Sequence, residues 1–167
     1  MKVLIACEES QTVCKAFREL GHEAYSCDIQ KCSGGHPEWH IIGNVLNVLR
    51  PDKGIITFIT FDGKLHLINA WDLVIAHPPC TYLSAAGAVR LFDKNHNIKN
   101  AERYENGLQA TRFFYRFLSL PYRYVAVENP VPLKIYGLPK YNQIIEPYYF
   151  GDPWKKKLAY GLRVFRP

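Results

Sequence analysis

The chain has 167 residues, 48% of them apolar and 14% aromatic, which suits one domain with a substantial core. No stretch reaches the roughly twenty apolar residues that a membrane span requires, and acidic residues follow too early for an N-terminal signal peptide. We therefore expect a cytoplasmic protein. The net charge of +6 is compatible with a polyanionic partner but does not establish one.

The first thirty residues predict a βαβ unit. Lys2–Cys7 is a short apolar run typical of a buried parallel strand. Ser10 is expected to cap a helix over Gln11–Leu20, which Gly21 ends. Glu23–Cys27 then predicts a second strand that ends at Asp28. Such units are the building blocks of nucleotide-binding folds.

The middle of the chain predicts a loop, a short element, a hairpin and a strand. In order these are a polar loop over 29–43, a helical turn or strand over Asn44–Leu49, hairpin strands Ile55–Ile59 and Lys64–Ile68, and strand Trp71–Ala76. Asp62-Gly63 separates the two hairpin strands and favours a tight turn.

The second half predicts one long helix and three strands. The helix covers Asn100–Leu118, and apolar spacings of three and four predict that one stripe faces the core. That stripe consists of Ala101, Tyr104, Leu108, Thr111, Tyr115 and Leu118. The predicted strands are Tyr122–Val127, Ile144–Phe150 and Leu158–Val164. Alternating strands and helices indicate a doubly wound α/β domain over residues 1–167.

Basic and aromatic residues interleave in the last third of the chain. The basic ones include Arg112, Arg116, Arg123, Lys155, Lys156 and Lys157. The aromatic ones include Tyr136, Tyr141, Tyr148, Tyr149, Phe150 and Trp154. This mixture suits phosphate contacts with stacking platforms, and it equally suits a solvated basic face over core aromatics.

Two motifs follow the carboxyl ends of predicted buried strands, where open α/β sheets place their ligands. One is His77-Pro78-Pro79-Cys80, which continues to Ser84; the other is Glu128-Asn129-Pro130. Two prolines hold Cys80 rigidly on a strand-end loop, an environment that suits a reactive thiolate better than a structural thiol. A carboxylate from the neighbouring strand end is expected to approach it.

These residues resemble a known family, the cytosine-C5 DNA methyltransferases. His77–Ser84 is similar to the family's Pro-Pro-Cys motif, including the serine four positions after the cysteine. Glu128-Asn129-Pro130 is similar to its Glu-Asn-Val motif. Asp28 stands where the family keeps an acidic residue for the cofactor ribose, and Asn44 where an aspartate lies near the adenine. The segment from Gly151 to Val164 loosely resembles the family's basic motif.

The resemblance implies a Rossmann-like S-adenosylmethionine-dependent methyltransferase fold, a mostly parallel sheet with helices on both faces. It implies that Cys80 attacks cytosine C6 and that Glu128 contacts the ring, with DNA as the partner and the base flipped out of a duplex. It assigns the cofactor to Cys7, Glu8, Asp28, Ile29, Asn44 and Pro78. It assigns nucleic-acid contacts to Ser84, Arg90, Asn129, Lys155, Lys156 and Lys157.

The chain departs from the family pattern in two places. The turn Cys7-Glu8-Glu9-Ser10-Gln11 has no glycine, where family members have a glycine-rich turn. Its two carboxylates disfavour a phosphate ligand but not the cationic sulfonium and amino groups of S-adenosylmethionine. No segment corresponds to a target-recognition domain. Weak specificity, dependence on a separate specificity partner, and an inactive relative therefore remain open.

Three other interpretations follow from the residues. Pro78-Pro79 also resembles the Asp-Pro-Pro-Tyr motif of amino-methyltransferases, with His77 and Cys80 in place of the aspartate and tyrosine. A non-catalytic nucleic-acid-binding module would explain the missing glycines. A zinc site would draw on Cys27, Cys32, His36 and His40, although their spacings match no standard finger. Five cysteines without a secretory signal argue against disulfides, and Cys7 and Cys14 are expected to be buried thiols.

Overall fold

The computed structural model describes residues 1–151, residue 153 and residues 158–164, with backbone alone for 158–160 and 162–164. The strands in this part are β1 Lys2–Ala6, β2 Glu23–Asp28, β3 His40–Ile42, β4 Ile56–Ile59, β5 Leu65–Ile68, β6 Leu73–Ala76, β7 Tyr124–Pro130, β8 Gln143–Ile145 and β9 Leu158–Val164. The α-helices are α1 Thr12–Glu19, α2 Ala88–Leu91 and α3 Ala101–Leu118. Short 3-10 turns cover Pro37–Trp39, Val45–Asn47, Ala85–Gly87, Lys134–Tyr136 and Pro147–Phe150.

Seven of these strands form one sheet in the order β3-β2-β1-β6-β7-β9-β8, and β4 pairs with β5 in a separate antiparallel hairpin. The five strands from β3 to β7 in that order are parallel and are flanked by helices. β9 pairs antiparallel with β8 at the other edge. The α/β class is confirmed, and the arrangement is compatible with a Rossmann-like fold. Strand order reverses between β1 and β6, the type of position where such sheets bind ligands.

Contacts divide the chain into two compact units. Unit 1 contains Met1–His77, Leu120–Ala126 and Arg163–Pro167, and unit 2 contains Pro78–Ser119 and Val127–Leu162. The single domain over residues 1–167 stays a prediction. Among the described residues, no helix has the length and apolar character needed to cross a membrane.

The core of unit 1 forms where α1 packs on the first two strands. Val3, Ile5, Cys14 and Ala24 are fully buried there, because parallel strands covered on both faces bury consecutive side chains. The β4–β5 hairpin covers a second group of aromatic rings, in which Tyr25 meets Phe58, His66 and Trp71. The Trp71 indole N–H donates to the Val48 carbonyl at 2.7 Å, so the buried ring keeps a polar partner.

The core of unit 2 lies between α2, α3 and the turn at Lys134–Tyr136. Leu83, Leu91 and Tyr136 are buried together there. Gly107 is required in α3 because a Cβ at that position would overlap the Tyr136 ring. The Asn100 side chain caps α3 by accepting the Arg103 N–H at 2.8 Å, as expected for asparagine at this position.

Most predicted elements are confirmed, and three differ. Residues 29–43 contain a turn and β3 rather than loop alone, and β7 continues through Glu128 to Pro130. The predicted strand Ile144–Phe150 is wrong beyond Ile145, because Pro147 opens a 3-10 turn.

The predicted stripe on α3 is confirmed in part, because Tyr104 and Leu108 pack against the core of unit 2. The buried residues of α3 are Gly107, Phe114 and Phe117, however, and Ala101 and Tyr115 are exposed. The buried face is centred on Gly107 and its contact with Tyr136, and glycine carries no apolar side chain from which a periodicity could predict it.

Candidate functional site

The loop that carries Cys80 is a closed turn at the start of unit 2. The Cys80 carbonyl accepts the backbone N–H groups of Leu83 at 3.0 Å and Ser84 at 3.1 Å. Pro78 is buried, whereas Cys80 is only half-buried. The thiol therefore stands on a constrained backbone with access to solvent, as a nucleophile requires.

Backbone pairing joins this loop to the segment that directly follows Glu128-Asn129-Pro130. Ser84 forms an antiparallel bridge with Pro132. The Ala85 N–H donates to the Val131 carbonyl at 3.1 Å, and the Leu133 N–H donates to the Leu83 carbonyl at 2.8 Å. The two motifs predicted from the sequence therefore belong to one hydrogen-bonded part of unit 2.

The side chains of Leu83 and Arg103 hold this loop in position. Leu83 is fully buried and packs with Leu91 and Tyr136. The Arg103 guanidinium, from the first turn of α3, donates to the Thr81 carbonyl at 2.7 Å and lies 5.1 Å from the centre of the Tyr82 ring. Sequence reasoning missed Arg103, since nothing in the local pattern distinguishes it from an ordinary surface arginine of a helix.

Glu128 and Asn129 occupy opposite faces of β7, as successive residues of a strand must. Glu128 is half-buried. Asn129 is 3% exposed, and its amide N–H donates to the Pro130 carbonyl. Among the described residues its carbonyl oxygen has no hydrogen-bond partner, and the side chain lines a small apolar pocket with Phe114, Pro132 and Tyr141.

The predicted nucleic-acid contacts fall in different environments. Ser84 is half-buried in the bridge, Arg90 is exposed on α2, and Asn129 is inside unit 2. Lys155, Lys156 and Lys157 lie outside the described residues. A direct contact between Asn129 and nucleic acid stays a prediction, and the burial of its side chain disfavours it.

Unit 1 has an open cleft at the carboxyl ends of its parallel strands. Ala6, the last residue of β1, pairs with Cys27 of β2 and Ala76 of β6, and its carbonyl accepts the His77 N–H at 2.9 Å. The residues after these strand ends therefore converge. The cleft is lined by Cys7, Glu8, Glu9, Ser10, Thr12, Val13, Asp28, Gln30 and His77.

The turn after β1 reaches its shape without glycine. Cys7 and Gln11 have left-handed backbones, with φ of 61° and 58°. Glu8 is 6% exposed, and its carboxylate accepts the N–H groups of Val13 at 2.6 Å and Cys14 at 3.2 Å. Glu8 thus caps α1. Ser10 is not the N-cap residue that the sequence predicted, but its hydroxyl accepts the Thr12 N–H in a longer hydrogen bond of 3.4 Å. The Glu8 carboxylate suits its capping role because it satisfies free N–H groups and faces the positive end of the helix.

The side chain of Gln11 holds the following loop against this turn. Its amide donates to the His36 carbonyl at 2.8 Å and accepts the His36 N–H at 3.0 Å. Gly34 passes so close that a Cβ there would lie 2.5 Å from the Ser10 carbonyl oxygen. The wall of the cleft therefore depends on Gln11 and Gly34, which sequence reasoning did not single out.

The electrostatics of the cleft favour a cationic ligand. Burial, and then the charge of Asp28, raise the pKa of the Cys7 thiol to about 12. Burial raises the pKa of the Cys27 thiol to about 12 as well, with smaller contributions from Cys7 and Asp28. Both thiols are neutral at physiological pH. Asp28 and Glu9 are thus the carboxylates available to a ligand, because Glu8 is committed to α1.

The cleft brings together three of the predicted cofactor residues, Cys7, Glu8 and Asp28. Ile29 does not line the cleft, and its side chain is 78% exposed. Asn44 is exposed and accepts the Leu46 N–H at 3.0 Å, which caps the turn over Val45–Asn47. Pro78 belongs to unit 2. His77 was missed as a lining residue, although its position directly after a buried strand could have indicated it.

The geometry does not support the alternative zinc site. The two ring nitrogens of His40 lie 2.8 Å from the Ser26 hydroxyl and 2.9 Å from the Gln30 carbonyl. His36 pairs with Glu38 at 3.0 Å and stacks on Trp39. Within the described part of the chain, no three His, Cys, Asp or Glu side chains are grouped to hold a metal ion.

A scan against protein-family models found no match to this chain, and neither did a search of curated proteins. Two arrangements of residues support a functional interpretation. In unit 2, a half-buried cysteine on a rigid turn is bonded to the segment that follows a strand-borne glutamate. In unit 1, an acidic cleft opens at the carboxyl ends of parallel strands.

Proposed function

We propose that this chain is a DNA (cytosine-5)-methyltransferase-like enzyme that uses S-adenosylmethionine. Cys80 is the nucleophile and Glu128 is the group that contacts the cytosine ring. The observation that carries this proposal is the backbone bridge between Ser84 and Pro132, which joins the two motifs within unit 2. Either motif alone is explained equally well as a loop brace or a surface carboxylate, but their pairing is not.

The chemistry requires these residue types. Cytosine C5 is a poor nucleophile, and addition of the Cys80 thiolate at C6 gives C5 the electron density to accept a methyl group. Glu128 stabilises the charge that develops on the ring through N3 and the exocyclic amine. Loss of the C5 proton to a base then expels the thiolate and restores the aromatic ring. The prolines before Cys80 keep the sulfur in position throughout this cycle.

The acidic cleft of unit 1 fits the donor. S-adenosylmethionine supplies the methyl group, and its sulfonium and amino groups are cationic, as the cleft's carboxylates require. We assign Asp28, at the end of β2, to the ribose hydroxyls and Glu9 to the cationic groups, since both carboxylates line the cleft. Because Glu8 already caps α1, we do not expect it to contact the donor directly.

Transfer of labelled methyl groups from S-adenosylmethionine to cytosine-containing DNA tests the proposal. We expect Cys80→Ala to abolish transfer and Glu128→Gln to lower it by a factor of about 100 or more, since a transition-state contact is lost. Cys32→Ala and Glu146→Gln are matched controls, because both replace side chains that are half-buried like those of the site. Normal transfer by Cys80→Ala would refute the proposed nucleophile.

Cys80→Ser separates this function from its nearest alternative. A C5 enzyme loses turnover when its thiol becomes a weakly nucleophilic hydroxyl. An amino-methyltransferase, which needs no covalent bond to the base, would retain turnover and would place the methyl group on an exocyclic nitrogen. Mass spectrometry of the digested nucleosides distinguishes the two products.

A further inference from the structure

The net positive charge of the chain comes from its last third. Residues 111–167 contain ten Lys or Arg and three Asp or Glu, whereas residues 1–110 contain eleven and twelve. The excess over the whole chain therefore comes from residues 111–167. Four exposed basic residues of this segment, Arg112, Arg116, Lys134 and Lys140, belong to unit 2 and would attract a polyanion there rather than to the acidic cleft of unit 1.

The same third carries consecutive aromatic side chains in solvent. Tyr148, Tyr149 and Phe150 are 56%, 64% and 79% exposed, and Phe150 is the most exposed large apolar side chain among the described residues. All three belong to unit 2, together with Cys80 and Glu128. Consecutive exposed rings form a contiguous apolar patch, and such patches often mark interaction sites.

Local structure holds these rings in place on a short turn. Pro147 opens a 3-10 turn in which the Tyr149 N–H donates to the Glu146 carbonyl at 2.9 Å. Gly151, with φ of 88°, ends the turn and donates to the Tyr148 carbonyl at 3.3 Å. These backbone hydrogen bonds restrict the turn that carries the rings, which lowers the entropy cost of stacking a ligand on them.

We propose that Tyr149 and Phe150 form a stacking platform for unpaired bases, and that the chain binds single-stranded nucleic acid in preference to intact duplex. Exposed rings offer flat faces that bases can stack on only when those bases are free of their own neighbours. In a duplex both faces of each internal base are covered. The exposed basic residues of unit 2 supply the sequence-independent attraction to phosphates.

This inference names the acceptor for the proposed enzyme and in that respect rests on the proposed function. An unpaired cytosine needs no extraction from a base stack, so methylation of a single strand avoids the cost of base flipping. The binding preference itself does not depend on methyl transfer. An experiment can therefore refute this inference without refuting the proposed function, and the reverse.

Fluorescence anisotropy with a labelled 20-nucleotide DNA of mixed sequence, single-stranded and as a duplex, tests the platform at fixed salt. We expect the wild type to bind the single strand at least tenfold more tightly than the duplex. Tyr149→Ala with Phe150→Ala should weaken single-strand binding by roughly tenfold or more for each ring and leave duplex binding nearly unchanged. Tyr149→Phe should bind as the wild type does, because the ring remains.

Phe61→Ala is the matched control, since Phe61 is an exposed aromatic residue of unit 1. It should leave both affinities unchanged, and thermal melts should show that all variants fold. Equal affinity for single strand and duplex, or full single-strand affinity in the double variant, would overturn the inference. So would loss of a wild-type dimer in the double variant, with single-strand affinity unaltered, because the rings would then be a self-association surface.

Cys80→Ala separates the two proposals. It should retain the wild-type preference for the single strand, because the thiol is not part of the platform. Correct binding without methyl transfer in the wild type would refute the proposed function alone. Transfer to duplex DNA that is insensitive to the aromatic substitutions would refute this inference alone.

Discussion

Two loops that follow parallel strands contain the candidate functional residues of this chain, and they are built differently. Residues 7–11 after β1 form a turn with no glycine and no proline, held by the left-handed backbones of Cys7 and Gln11 and by the carboxylate of Glu8. Residues 78–84 after β6 begin with two prolines and close through backbone hydrogen bonds to Cys80. The first shapes an acidic cleft, and the second presents a thiol.

Their cysteines illustrate what this difference means. Cys7 and Cys80 are both half-buried, yet burial and Asp28 keep the Cys7 thiol neutral. Exposure alone would assign both cysteines the same reactivity. Burial, with the charge of Asp28 added to it, makes Cys7 a neutral part of the cleft wall, whereas Cys80 lies half-buried on the closed turn of unit 2.

Thiol alkylation should separate the two loops most sharply. Thiols with a pKa of about 12, those of Cys7, Cys14 and Cys27, have on the order of one thiolate in ten thousand at pH 8. We expect iodoacetamide to modify Cys80 and Cys32 of the native protein at pH 8 and to leave these three unmodified, as measured by peptide mass spectrometry.

The rate at which Cys7 is modified should also depend on pH. Because the thiolate fraction below the pKa rises tenfold per pH unit, modification of Cys7 should accelerate up to pH values near 12. Denatured protein is the control, since all five cysteines should then react. Rapid modification of native Cys7 at pH 8 would contradict the proposed difference between the loops.

Leu83→Ala should lower the unfolding free energy more than the substitutions in the first loop, because it removes the buried anchor of residues 78–84. Leu83 is fully buried beneath the Cys80 turn, and removal of its side chain should cost about 2–5 kcal/mol of unfolding free energy. Urea denaturation measures this cost. Val89→Ala, on the exposed surface of α2, should change it by less than about 0.5 kcal/mol. An equal effect of the two would mean that Leu83 does not anchor the turn.

Gly34→Ala should distort the first loop. The new Cβ would lie 2.5 Å from the Ser10 carbonyl oxygen and from Cβ of Gln11, and such overpacking costs about 1–3 kcal/mol. The affinity for S-adenosylmethionine, measured by calorimetry, should fall together with the stability of this variant, because the cleft wall moves. Ser33→Ala is the control, since the Ser33 N–H keeps its bond to the Glu9 carbonyl. A stable Gly34→Ala variant would show that the loop can move at little cost.

Glu8→Gln should lower the unfolding free energy less than Leu83→Ala or Gly34→Ala does. The neutral amide keeps an acceptor for one N–H of α1 but loses the charge that favours the helix N-terminus, a loss of about 1 kcal/mol in thermal or urea unfolding. Glu9→Gln changes the same charge in the same cleft without removing this cap. Greater destabilisation by Glu9→Gln would exclude Glu8 as the capping residue.

The sequence predicted the parts that depend on local patterns. Apolar runs located β1, β2 and β6, Asp62-Gly63 located the hairpin, and Asn100 located the start of α3. Pro78-Pro79-Cys80 and Glu128 were identified as a pair because both follow predicted buried strands, although β7 itself extends through Glu128. Each of these rests on a few adjacent residues with strong conformational preferences.

The parts that could not be predicted depend on contacts between distant residues. Nothing near Gly107 indicates that Tyr136 will pack on it, and nothing near Gln11 indicates that its amide will bond His36. Glycine is the usual choice for a left-handed backbone, so the sequence of residues 7–11 gave no indication of its shape. The Arg103 contact with Thr81 joins residues 22 positions apart.

The most direct test of Cys80 as nucleophile uses DNA that contains 5-fluorocytosine. Fluorine at C5 blocks the final elimination, so an enzyme that attacks C6 remains bound covalently to the base in the presence of S-adenosylmethionine. Single-stranded and duplex DNA should both be used, with adducts resolved on a denaturing gel. We expect an adduct in the wild type and in Cys32→Ala, and none in Cys80→Ala. An adduct that persists in Cys80→Ala, or methylation of ordinary cytosine at C5 by that variant, would contradict the proposed mechanism.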